Sequence, residues 1–110
     1  MLSFSTVLKE LETELAEFAK RSWADYKDEA TADAKAFVNS WKTDLERWTK
    51  SLALGAINQE DFEWLLASQK DLGQLKSLTR SGLTKIKLER FINGVIDTII
   101  STVFKLIPAV

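Results

Sequence analysis

With neither histidine nor cysteine in the chain, the side chains left to do chemistry are carboxylates, lysines, hydroxyls and one tyrosine, Tyr26. Imidazole bases, Ser–His and Cys–His nucleophile pairs, disulfides and zinc–thiolate sites are excluded together. The densest carboxylate set is Glu10, Glu12, Glu14 and Glu17, of which Glu10, Glu14 and Glu17 fall on one side of a helix. Such oxygens hold a hard cation only when another segment completes the shell. A lone helical face of acids reads as a solvated face, so no metal, cofactor, small-molecule substrate or catalytic set is expected.

Two other patterns deserve weighing. Trp23, Trp41 and Trp48 fall nearly on one line, since about five and then two helical turns separate them, with Tyr26 and Phe37 alongside. An aromatic strip of this kind can recognise a base, a sugar or a headgroup. This one also carries Ala30, Ala34, Leu45 and Leu52, which favours a helix seam and oligomer contact. Between Lys70 and Arg90 stand six basic residues against two acidic ones. They occupy several helix faces and accompany no nucleic-acid motif, so no nucleic-acid partner is expected. Most simply they form a solvated face paired with the acids of the first arm. Lys76, Arg80, Lys85, Lys87 and Arg90 also lead directly into an apolar segment, the pattern of a helix that docks on an anionic bilayer. A true span is disfavoured by Asn93, Asp97 and Lys105, since a central aspartate costs about 3 kcal/mol on insertion scales.

The elements that position these groups follow from apolar spacing. Leu88, Phe91, Ile92, Val95, Ile96, Ile99, Ile100, Val103, Phe104 and Ile107 recur at three and four residues, which predicts a helix. At about 100° per residue they cover an arc of roughly 200°, leaving a strip of Arg90, Gly94, Asp97, Ser101 and Lys105. One neighbouring helix cannot cover such an arc. At the other end, Ser3 or Ser5 can cap a helix through Val7, Leu8, Leu11, Leu15 and Phe18. No proline or glycine interrupts residues 2–54, so the spacing predicts one long helix, with only a weak break near Asp28 to Thr31. Leu54-Gly55-Ala56-Ile57-Asn58 is the clearest punctuation: Gly55 suits the left-handed residue after a helix, and Asn58 can cap the next one with Asp61. Beyond it run Phe62, Leu65, Leu66, Leu72, Leu75 and Leu78. Gly73 and Gly82 each mark a break or a close backbone approach, residues 80–84 being the better break. Pro108 ends the last helix.

The expected fold is all-α: one domain over residues 1–110, with arm one at 3–54, a turn at 55–58 and arm two at 59–107. Folding at the turn sets residue i roughly opposite residue 111 − i. That lays the C-terminal helix along Phe4 to Phe18 and the basic run near Asp25, Asp28, Glu29 and Asp33. Straight arms would be about 75 Å long at 1.5 Å per residue, leaving half of the C-terminal arc wet. Self-association into a dimeric or larger helical bundle follows, with the ten apolar residues from Leu88 to Ile107 and the three tryptophans as interface. The alternative is a compact monomeric four-helix bundle with breaks near 28–31 and 81–83.

Functionally the chain reads as a non-catalytic structural or protein-interaction protein working as a homo-oligomer or with a protein partner. The alternative is a peripheral membrane protein. A net charge of −1 names no partner, and an N-terminus without a secretory pattern reads as cytoplasmic, with membrane association under the second reading.

Overall fold

The fold is described from a computed structural model over residues 3–107. All its regular elements are helical: α1 (Phe4–Ser22), α2 (Lys27–Ser40), α3 (Lys42–Ala53), α4 (Gln59–Ala67), α5 (Lys76–Arg80) and α6 (Lys85–Leu106), with single 3-10 turns at Ala24–Tyr26 and Leu72–Gln74. The ends carry local signals. Ser3, Asn58 and Thr84 each accept a backbone N–H from the third residue of the helix they open, and at Asn58 the Asp61 side chain returns the bond. Gly55 (φ 76°) and Gly82 (φ 87°) close α3 and α5 in the left-handed conformation. At both, the residue after the glycine donates back five positions, Ala56 to the Ser51 carbonyl and Leu83 to the Leu78 carbonyl, a Schellman end that favours glycine.

The chain does form a hairpin about residues 54–58, but the hairpin is folded in half. The straight arms expected from residues 3–54 and 59–107 do not form, and the longest dimension is 42 Å. Arm one turns back at Trp23–Tyr26, not at Asp28 to Thr31, which lie inside α2. No local breaker explains this turn. Trp23 (φ −132°, ψ 42°) leaves the helix, and its indole stands edge-on against the Phe91 ring at 5.4 Å. A tertiary contact overrides helix propensity there. Arm two breaks twice: at residues 68–75, where α4 gives way to the 3-10 turn around Gly73, and at residues 81–84, the site favoured by its glycine. A smaller bend at Trp41 (φ −112°, ψ 15°) separates α2 from α3.

The register survives the folding. α6 lies along α1, α5 against α2 and α4 against α3, each pair antiparallel as the hairpin requires. Doubling adds α1 against α2 and α4 against α6, giving an up-down-up-down four-helix bundle with bent, interrupted rods. The buried spacing is that of bundle helices: Val7, Leu11, Leu15 and Ala19 on α1, Ala30, Ala34, Phe37 and Val38 on α2, Leu45, Trp48 and Leu52 on α3.

The wide arc of α6 is sheltered within the chain. Leu88, Phe91, Ile92, Val95, Ile96, Ile99 and Val103 are buried, while Ile100, Phe104 and Ile107 are half-buried against the same core. Bent rods supply the cover that one straight arm cannot, so an uncovered arc no longer requires a second copy. Ile107 is extended (φ −126°, ψ 86°); Pro108 lies outside the described residues.

On the opposite strip, Asp97 and Ser101 are exposed, but Gly94 lies beneath Phe18. A Cβ there would sit 2.4 Å from Phe18 Cζ. Gly94→Ala gains about 1 kcal/mol of helix propensity but swings Phe18 off Phe91, its neighbour at 5.8 Å. The expected net loss is about 1–2 kcal/mol. Urea denaturation checks this, and adding Phe18→Leu should recover most of the loss.

Candidate interaction surfaces

The residues that could do chemistry are dispersed or already engaged. Glu10 and Glu14 share Lys105 at 3.4 and 3.7 Å, an ion pair fastening α1 to α6. Glu12 and Glu17 are exposed. Among the described residues, no group of three or more acidic side chains is arranged to hold a metal ion. The tryptophans do not form one strip. Trp48 is buried in the core, while Trp23 and Trp41 are half-buried against it. The Trp41 indole nitrogen is buried with no hydrogen-bond partner.

The basic run is a solvated face, but it is not paired with the acids of arm one. Lys76, Arg80, Lys85, Lys87 and Arg90 are all exposed, yet none forms an ion pair among the described residues; the pairs present are Arg47–Asp44, Lys50–Glu46 and those of Lys105. The carboxylate expected to face this run does something else. Asp33 is 3% exposed, and its two oxygens accept the backbone N–H groups of Ser77 (3.1 Å) and Leu78 (2.8 Å). These belong to the first turn of α5, whose own N-cap, Leu75, offers no side-chain acceptor. Asp33 therefore caps α5 from across the bundle and pins α2 to arm two.

Among the described residues three large apolar side chains stay outside: Leu54 (74% exposed), Trp64 (69%) and Ile86 (72%). They are far apart. Ile86 stands between Lys85 and Lys87 at the folded end and shares a shallow groove with Trp23 and Arg90. A neighbouring groove is lined by Arg21, Trp23, Asp25, Tyr26, Lys87 and Arg90, and Glu89 and Asp97 line the first, so this end combines aromatic surface with cations and a smaller number of acids. At the other end, Phe4 and Val7 of α1 face Thr49, Ala53 and Leu54 across an apolar cleft of about 500 Å³. Neither cluster was legible from spacing alone, because each is assembled from separate helices.

No protein-family model, curated protein or solved structure matches this chain. No helix among the described residues is long and apolar enough to cross a membrane.

Proposed function

We propose that the protein is a non-catalytic helical protein that acts by association of apolar helix faces, with a second copy of itself as partner. One observation supports this most: the molecule consists of two halves, α1 with α6 and α2 to α5, that meet across a wholly helical seam. The halves share one core, in which Phe62 of one meets Phe104 of the other at 5.8 Å and Ala19, Ala34, Phe37, Phe62, Phe91 and Ile99 are all at 1% exposure or less. Surfaces of this composition serve equally within one chain or between two. Multi-angle light scattering across a concentration series tests the reading. Association requires the mass to rise from 12.5 kDa toward twice that value. A constant monomer mass to the solubility limit overturns it.

A second reading, docking on an anionic bilayer, has its own support. The cations Lys85, Lys87 and Arg90 flank exposed Ile86 on one end of the bundle, and clustered cations near an anionic surface contribute about 1 kcal/mol each. The surface used would be this end, because the apolar face of α6 is committed to the core. Flotation with anionic and neutral liposomes tests it: co-flotation with anionic vesicles alone, abolished by salt, is expected, and none with either removes the reading.

A further inference from the structure

Resting on the association reading, we propose that two copies associate by exchanging halves. The turns at residues 23–26 and 81–84 straighten, and α1 with α6 of one copy packs on α2 to α5 of the other. The observations converge on these two turns. Contacts within each half, α1 with α6, α2 with α5 and α3 with α4, are those of an unfolded-out straight hairpin, so opening leaves them in place. Contacts between halves, α1 with α2 and α6 with α4, α2 and the Leu72–Gln74 turn, are the ones a second copy can supply. The exchanged assembly is a dimeric four-helix bundle at most about 75 Å long, from about 50 residues per arm at 1.5 Å each, shortened where arm two leaves the helix at residues 68–75.

Both turns can straighten at the same end of the molecule. Tyr26 and Trp23 line one groove with Lys87 and Arg90 of α6. The first turn holds no proline or glycine. Trp23 (φ −132°, ψ 42°) and Tyr26 (φ −130°, ψ 31°) sit at negative φ between the helical and extended regions, so straightening turns φ and ψ by about 70° at each residue without crossing to positive φ. The second turn holds the molecule closed through Gly82 at φ 87°. Short hinges between halves that already fit each other are the arrangement that permits exchange.

Two substitutions at the second turn act in opposite directions. In Gly82→Ala, alanine disfavours the left-handed closed turn and favours a continuous helix. With two hinges per dimer, the dissociation constant should fall about 1,000-fold. In Lys85→Pro the closed form is undisturbed. Lys85 is the first residue of α6, its N–H donates to no backbone carbonyl, and Thr84 before it is extended (φ −69°, ψ 160°). A straightened arm would place that proline inside a helix, so dimerisation should weaken about 10,000-fold. Sedimentation and light scattering of the full chain, wild type and both variants, decide the matter. An elongated dimer promoted by Gly82→Ala and abolished by Lys85→Pro is the expected result. Equal dimerisation of wild type and Lys85→Pro overturns the exchange while leaving association through outer faces. Monomers in all three, Gly82→Ala included, overturn both. Should Lys85→Pro fail to fold, Gly82→Ala decides alone, and a monomeric Gly82→Ala overturns the exchange.

Discussion

Ile99→Asp leaves no cooperatively folded protein at 25 °C. Ile99 is fully buried at the middle of α6, the helix against which α1, α2 and α4 all pack. The substitution removes an apolar side chain worth about 1.5–3 kcal/mol and puts an unpaired carboxyl in its place, at a further cost of several kcal/mol. Together these match the roughly 5–15 kcal/mol that stabilises a domain of this size. The expected result is loss of the thermal transition by near-UV circular dichroism and loss of amide dispersion by NMR. Ser101→Asp, on the exposed strip of the same helix, should stay within about 0.5 kcal/mol of the parent. A variant Ile99→Asp that melts like the parent would mean the core lies elsewhere.

Asp33→Ala has the second-largest effect, through a different cause. The methyl group strands two N–H groups at the start of α5, one of them buried at Leu78. With only five residues, α5 cannot persist on its own propensity. Losing two carboxylate hydrogen bonds and exposing no substitute acceptor costs about 3 kcal/mol, a fall in Tm of about 10–20 °C. Asp33→Asn keeps one acceptor oxygen and should lose about half as much. Hydrogen exchange gives the independent readout: the Ser77 and Leu78 amides should exchange faster in Asp33→Ala while those of α1 and the middle of α6 keep most of their protection. Unchanged exchange at these two amides would remove Asp33 from this role.

What could be read in the sequence was what local chemistry determines. The turn at 54–58 was legible because Gly55, Asn58 and Asp61 each carry a signal within four residues. The break at 81–84 was legible through Gly82, and the α6 arc through its spacing. The turn at 23–26 left only a shift of the apolar stripe by about 100° between Ser22 and Tyr26, which a continuous helix also permits, because what ends α1 is the packing of Trp23 on Phe91, far off in the chain. For the same reason Asp33 looked like one more surface acid beside the basic run. Its partners are backbone groups 44 and 45 residues away, and side-chain type gives no hint of them. The hairpin register had nevertheless set Asp33 opposite the start of α5. That one missed turn decided everything larger, since a straight first arm forces a rod that must find company, whereas a bent one encloses the arc of α6.

Small-angle X-ray scattering at the lowest practical concentration tests the doubled hairpin most directly, with forward scattering reporting the mass. At monomer mass, the folded-over chain requires a radius of gyration close to the 13.8 Å of its Cα trace, raised slightly by side chains and hydration. A monomer above about 20 Å, the value for a straight hairpin about 75 Å long, would contradict it.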